Sequence, residues 1–592
     1  MCGIFGMVGA NAVTNTLRAL KLLEYRGYDS AGIAAKRDGE ICIYKSAGRI
    51  SNLQRLVPMG LESNVAIGHT RWATHGAVST ENAHPFYSPD RRFAVVHNGI
   101  IENYLDIKQQ FTLRGAVFTS QTDSETVAHL LQRYYSASVL DAVLKTANSL
   151  VGSFAIAVAS NYDNNLYAIK NKSPLVVGVS SNGVYLCSDI RSLSHWADKV
   201  AIAPDKSVVV VGNSGVNFYD FDGKQLDVAF FAPNTVNESV QTDGELMLKE
   251  IYEIPSRIRL AKQGYFADGG LQIDSQFVKR CKRIYLIGCG TAYNSGLQIA
   301  TVARKLLDVD VLPVIASEFI YDSYPIDSDT LAVLISQSGE TADTIRAAEK
   351  VRLQGGYAYA VTNTDSSSLR YTCNGYANVY AGGEYAVAST KAYNCQLVTL
   401  LLIVLDIAQI RKTVDEITYT QVVQGLDELP QAVEQILDNS NEIARIAWTL
   451  KDSSAIFYIG RTCDYPTAAE GSLKLKEISY VHSEAYPAGE LKHGTLALME
   501  KGVTVIAICT ETELLGKMSS SVNEVITRGA DVVGVSVNEL CNTHNIVLPK
   551  VHPLLYGIVS VVPLQLLAYY VAKGLGRDVD KPRNLAKSVT VE

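Results

Sequence analysis

The second residue of the chain is a cysteine, in the run Met1-Cys2-Gly3-Ile4-Phe5-Gly6. A small side chain at position 2 permits removal of Met1. Cys2 would then carry a thiol and a free α-amine together. An unperturbed α-amine titrates near about 7.7–8.0, which suits a general base at neutral pH. Nucleophile and base on one residue can open an acyl bond. The plain alternative is a buried cysteine on a first strand.

The residues that follow suggest a substrate. His69-Thr70-Arg71-Trp72-Ala73-Thr74-His75-Gly76 comes after a strand-like run, and His97-Asn98-Gly99 and Gln121-Thr122-Asp123-Ser124 come later. Arg71 can pair bidentately with an α-carboxylate. Asp123 can bind an α-ammonium, or it can cap the helix that begins beside it. The Asn98 amide and Gly99 N–H can form an oxyanion hole. Together these suit an amino acid with a side-chain amide. His69, His84 and His97 also read as satisfied structural histidines.

A second chemistry lies downstream. Residues 331–336 read as a buried strand and 342–352 as a helix, joined by Ser336-Gln337-Ser338-Gly339-Glu340-Thr341. Hydroxyls and N–H groups at a helix N-terminus make an anion site; an ordinary capped turn is the alternative. Gly288-Cys289-Gly290 lacks the third glycine of a dinucleotide fingerprint. Glu470, Lys474 and Glu477 fall on one helix face. They read either as a solvated ion pair or as a proton-transfer set. In the second reading Glu477 is the base, Lys474 tunes it and His493 assists ring opening. The tail 580–592 alone reads as polar and disordered.

Two kinds of scaffold must position these groups. Residues 1–222 hold short strand-like runs at 66–68, 93–96, 154–159 and 175–179, with helices at 13–25 and 124–135. That mix predicts a layered α+β domain. A polar stretch at 232–244 reads as a linker. From 246 onward strands alternate with helices, as in parallel α/β sheets. Residues 283–288 (RIYLIG) resemble 455–460 (AIFYIG), and 332–336 resemble 505–509, an offset of about 172 residues. The expected boundaries are 1–222, a linker at 223–245, two α/β domains at 246–412 and 413–577, and a tail at 578–592. The second copy carries Cys509-Thr510-Glu511-Thr512-Glu513, an acidic loop less suited to an anion.

Composition limits the partners. The 592 residues are 19% charged with a net charge of −7 and no basic block, which argues against nucleic acid. None of the ten cysteines stands in a C-x-x-C pair. No metal site or disulfide framework is expected, and a reducing cytoplasm fits. The N-terminus lacks the pattern of a signal peptide. The apolar stretch 554–572 holds Pro563 and Gln565 and stands alone, so it reads as a core helix rather than a membrane span.

The start MCGIFG, the run Tyr25-Arg26-Gly27-Tyr28-Asp29-Ser30-Ala31-Gly32, HTRWATHG and HNGIIEN resemble the class II glutamine amidotransferases, most closely their phosphosugar branch. The resemblance implies an N-terminal-nucleophile glutaminase, a layered α/β sandwich, in which Cys2 attacks the glutamine amide and releases ammonia. Arg71, Thr74, His75, Gly99 and Asp123 would bind glutamine, and Asn98 and Gly99 would stabilise the oxyanion. Arg26 would position the nucleophile, and Trp72 would gate an ammonia channel.

The later half resembles sugar isomerase (SIS) domains, here two with parallel sheets. Ser336, Gln337, Ser338 and Thr341 would hold a sugar phosphate, with Thr291, Val387 and Ser389 completing the pocket. Ala292 stands where the family usually has serine, Thr462 where it has glycine and Thr495 where it has proline. By the same resemblance the tail is folded, helps seal the ammonia path, and Lys587 forms a Schiff base with an open-chain ketose.

The implied substrates are glutamine and fructose 6-phosphate, and the implied products glutamate and glucosamine 6-phosphate. No cofactor is implied. The branch forms a homodimer, with His493 reaching the neighbour's site. Rival readings are another phosphosugar, a deaminase, or a sugar-phosphate sensor with a dead glutaminase. Amidophosphoribosyltransferases are set aside, because their phosphoribosyl-pyrophosphate loop is absent.

Overall fold

The computed structural model describes residues 2–73, 75–233, 245–365 and 367–589, except the side chains of Tyr25 and Arg191. Thr74 and residues 234–244 of the expected linker therefore lie outside the described residues. The chain divides into two compact units. One comprises residues 1–238 with 588–592, the other residues 239–587.

The first unit is built on two seven-stranded sheets whose described pairings are antiparallel. The strand Gly3–Gly9 shows why they stack. Side chains alternate across a strand. Ile4 and Val8 join a core shared with Val96, Ala155 and Ala168 of the other sheet. Phe5 and Met7 point the other way, against Leu20 of the helix Ala12–Leu22. The second sheet is covered outside by Glu125–Tyr134 and Val139–Ser149. The result is helix, sheet, sheet, helix, the layered α+β sandwich expected.

The second unit holds two five-stranded parallel sheets of the same order. In each, the first strand lies between the second and the third. In the first sheet these are Arg283–Gly288, Asp310–Ile315 and Thr330–Ser336. The order in which strands are added reverses between the first and third strands. Loops leaving that point open a crevice at the carboxyl ends, where open α/β sheets bind ligands.

The two copies share one core cluster. Running through it are Lys391–Arg411 and Pro553–Gly574, each apolar and long enough to cross a membrane, yet 83% buried in the protein over its most apolar stretch. The stretch at 554–572 is thus a core helix. The helix Lys391–Arg411 is a second of the same kind.

The tail departs from its reading as disordered. Its Asp580 carboxylate accepts the N–H groups of Leu246 at 3.0 Å and Met247 at 2.8 Å. The Asp580 carbonyl accepts the Val387 N–H at 3.0 Å. Tyr480 Oη accepts the Arg583 N–H at 2.7 Å. Backbone groups with named partners are ordered by them, and hydropathy alone carries no trace of this.

Candidate functional sites

In the first unit, Cys2 sits one residue ahead of the strand Gly3–Gly9. Its Sγ accepts the Trp72 N–H at 3.3 Å and lies 3.5 Å from the Trp72 carbonyl. Burial pushes the thiol up, against the pull of the Trp72 N–H and Arg71. A sulfur held in this way needs a base to become a nucleophile. Cys2, Arg71, Trp72, His75, Gly99 and Asp123 line one pocket.

Each wall of the pocket is braced. The Arg71 guanidinium donates to the carbonyls of His75, Gly76 (3.2 Å) and Ala77 (3.3 Å), so the loop holds it in place. Asp123 does not cap the neighbouring helix with its side chain. Its Oδ2 accepts the Ile101 N–H at 2.9 Å and its Oδ1 the Ser124 hydroxyl at 3.2 Å. Asn98 Nδ2 donates to the Cys2 carbonyl at 3.0 Å. Gly99 has φ +122°, and a Cβ there would meet the Ser153 carbonyl oxygen at 2.0 Å, so the position admits only glycine. The Trp72 ring stands edge-on to Tyr28, and His75 edge-on to Tyr104.

Arg26 does not line the pocket. It pairs with Asp189 at 3.1 Å, both side chains 1% exposed. The adjacent Ser188 accepts the Ile4 N–H at 2.9 Å, so the pair steadies the strand start that carries Cys2. Asp29 accepts the Ala73 N–H at 2.9 Å and supports the same loop.

In the second unit the carboxyl ends of the first and third strands lie side by side at one end of the sheet. Ser336 Oγ is 2.9 Å from Thr341 Oγ1 and accepts the Gly339 N–H at 3.1 Å. Ser338 Oγ accepts the Glu340 N–H at 3.2 Å. Glu340 takes the Ser368 N–H and hydroxyl, both at 2.8 Å. Gly339 has φ +66°, and a Cβ there would strike Ser367. Gln337 is half-buried, and its carbonyl accepts the Asn363 N–H. The result is a tight hydroxyl-lined loop at the N-terminus of the helix Ala342–Leu353.

The reading of Glu470, Lys474 and Glu477 as a solvated surface set does not hold. Lys474 and Glu470 are 1% and 0% exposed, and Glu477 alone reaches solvent, at 21%. Lys474 Nζ reaches Glu477 at 2.6 Å, Thr291 Oγ1 at 2.9 Å and Glu470 at 3.5 Å. Glu470 also accepts Thr291 at 3.0 Å and Asn294 at 2.8 Å. Burial pushes Glu470 up to about 7 against the pull of Lys474. Burial would lower the Lys474 ammonium, but Glu477 and Glu470 outweigh it and hold it high. Lys474 is therefore a fixed cation touching a partly exposed carboxylate.

Lys587 is brought to a residue that sequence reasoning missed. It pairs with Glu384, which also accepts Ser389 Oγ at 2.9 Å and the N–H groups of Thr390 at 2.9 Å and Ala392 at 3.0 Å. Burial would raise Glu384, but Lys587 holds it below the usual range. Glu250 accepts the Tyr385 and Ala386 N–H groups nearby and is pushed up to about 7 by burial and Glu384. The signal available was an acid in a glycine- and alanine-rich loop just before Val387 and Ser389. His493 is exposed on the short turn Glu490–His493, away from the described bonds of this cluster.

In the second copy the equivalent corner is filled by its own carboxylates. Asp464 accepts the Thr510 N–H and hydroxyl, and Glu511 pairs with Lys305 at 2.6 Å.

Comparison with known proteins joins the two sites. A glutamine amidotransferase domain model matches residues 69–195, and a SIS domain model matches 277–405 and 449–573. The internal repeat is thus two SIS matches. The glutamine–fructose-6-phosphate aminotransferase [isomerizing] of Clostridium acetobutylicum is 40% identical over 609 residues, covering 100% of both chains. The chain belongs to the glutamine–fructose-6-phosphate aminotransferase (isomerizing) family. A Thermus thermophilus member of this family is 40% identical over 611 residues, again end to end. The solved C-terminal domain of the Francisella tularensis family member is 36% identical with a TM-score of 0.56, covering 58% of this chain and 100% of that one.

Proposed function

We propose that the chain makes glucosamine 6-phosphate and glutamate from fructose 6-phosphate and glutamine. What carries the reading is the pairing, in one chain, of a braced thiol pocket with a hydroxyl-lined loop beside a buried lysine–carboxylate set. An enzyme needing only one of these would not hold both.

Arg71 and Asp123 grip the glutamine α-carboxylate and α-ammonium, with Trp72 and His75 enclosing it and Thr74 assigned to glutamine binding by the family resemblance. The α-amine of Cys2, freed by loss of Met1, takes the thiol proton. Sγ bonds to the side-chain carbonyl carbon, and Asn98 and Gly99 receive the oxyanion. Ammonia leaves with the proton, and water hydrolyses the thioester to glutamate. Arg26 keeps the first strand in register for this.

Ser336, Gln337, Ser338 and Thr341 hold the sugar phosphate, with Thr291, Val387 and Ser389 around the sugar. His493, reaching across from a second copy, opens the ring. Lys587 condenses with the C2 ketone and loses water; ammonia then displaces the lysine as the C2 imine. Glu477 carries a proton from C1 to C2, and Lys474 steadies its charge. Ammonia passes internally, because bulk water would protonate it or carry it off. The exposed His493 supports a homodimer, and ten unpaired cysteines support a reducing cytoplasm.

The test is product formation with each substrate omitted in turn. Glucosamine 6-phosphate should need both substrates. Glutamate without glucosamine 6-phosphate from the complete mixture would reject the reading.

A further inference from the structure

We propose that His69 is a positioning residue for amide hydrolysis: its Nε2–H fixes the Asn98 side chain with the amide nitrogen facing Cys2. This rests on the reading of Asn98 as an oxyanion donor.

His69 lies on the strand Val65–Arg71, two residues before Arg71 and opposite Ile4 in the sheet. Its Nε2 is 3.0 Å from the His97 carbonyl oxygen and 3.0 Å from Asn98 Oδ1. A backbone carbonyl can only accept, so Nε2 must carry the hydrogen. An N–H at that point in turn requires an acceptor on Asn98, which is its oxygen. The other end of the amide, Nδ2, then meets the Cys2 carbonyl at 3.0 Å, again an obligate acceptor.

Two carbonyls that cannot change role thus decide both ends of the amide. A flipped Asn98 would set N–H against N–H and oxygen against oxygen. With one amide hydrogen on Cys2, the second remains available for an oxyanion.

The ring is itself fixed. It stacks on His84 with centroids 4.1 Å apart. His84 Nδ1 accepts the His97 N–H at 3.2 Å, so His84 is also held in one tautomer. Burial pushes His69 down to about 3, with His97 and Arg71 adding to the effect, so the ring stays neutral across the physiological range. Its Nδ1 has no partner among the described residues. A ring whose hydrogen bonds, among the described residues, run only through Nε2 is used there as a donor. A histidine that merely filled space would not need that atom.

The experiment measures glutamine hydrolysis by the full-length chain with fructose 6-phosphate present. His69→Gln keeps an N–H donor near the Nε2 position. His69→Phe keeps a ring on the stack and removes the donor. Asn98→Ala removes the oxyanion donor and should lower kcat by about 10²–10³-fold. His69→Phe should lower kcat by about 10- to 100-fold with the glutamine KM within about threefold, and His69→Gln should recover most of the loss.

Wild-type kcat in His69→Phe, an equal loss in His69→Gln, or a loss confined to KM would overturn the proposal. Wild-type kcat in Asn98→Ala would remove the oxyanion reading beneath it, a result distinct from failure of the His69 step alone. If the variants do not fold, the wild-type chain labelled with ¹⁵N-histidine decides. A neutral Nε2–H tautomer at His69 from pH 5 to 8 supports the proposal, and an Nδ1–H tautomer or a titration in that range ends it.

Discussion

The ammonium of Lys587 ends on the carboxylate of Glu384, with the two side chains 8% and 0% exposed. The lysine belongs to a tail that reads as solvent-borne, and the acid to a loop with no motif of its own. Their pairing joins the end of the chain to the loop carrying Val387 and Ser389.

Removing either partner strands a buried charge. Glu384→Gln or Lys587→Met should each cost about 3–5 kcal/mol of stability. The double variant should lose clearly less than the two losses added. Urea unfolding of the three variants measures this; additive losses would mean that the contact is not an energetic pair.

Glu477 should matter to rate rather than affinity. Its carboxylate accepts a hydrogen bond from Lys474 at 2.6 Å. Glu477→Gln should lower the kcat for glucosamine 6-phosphate by about 10²–10⁴-fold, with the fructose 6-phosphate KM within a few-fold. Steady-state kinetics check it. An unchanged kcat with a raised KM would make Glu477 a binding residue.

The Thr341 hydroxyl, 2.9 Å from Ser336, should act on affinity instead. On the proposed phosphate site, Thr341→Val would remove one hydrogen bond to a charged group, worth about 1.5–3 kcal/mol. The fructose 6-phosphate KM should rise by about 10- to 100-fold at nearly constant kcat. A fall in kcat at constant KM would contradict the assignment.

The first unit should weaken in acid. Burial lowers His69, His84 and His97 below the usual 6.5, with neighbouring histidines and Arg71 adding to it and Asp123 opposing it at His97. Below pH 6.5 the unfolded chain binds protons that the folded one refuses, so stability falls as pH falls. For His69 the loss runs from about 6.5 down to about 3. By pH 5 it amounts to about 2 kcal/mol. The melting temperature of glutaminase inactivation should drop from pH 7 to pH 5, and less steeply in His84→Phe. An identical slope in that variant would contradict this account.

Much of this was legible in the sequence, because spacing and residue type carry it. The strand-like runs at 66–68, 93–96 and 154–159 fall inside the strands Val65–Arg71, Phe93–Ile101 and Gly152–Ser160. The strand, polar turn and helix around Ser336 give the anion loop, and the repeat gives two similar sheets. The i, i+4, i+7 spacing put Glu470, Lys474 and Glu477 on one face but could not say whether that face was wet or buried. Burial depends on Thr291 and Asn294, more than 170 residues earlier in the chain. Glu384 was illegible for the same reason, since it is defined by a partner far away in sequence, and the folding of the tail came from the family resemblance and not from the tail's own polarity. The Asp123 side chain was legible as an acid beside a helix start, but not as one turned toward Ile101.

The most direct test is the complete reaction with Cys2→Ala. The account predicts that glutamate and glucosamine 6-phosphate both fall by at least about 10³-fold, while fructose 6-phosphate binds with wild-type affinity. Glutamine-dependent synthesis persisting in Cys2→Ala would show that the nucleophile lies elsewhere.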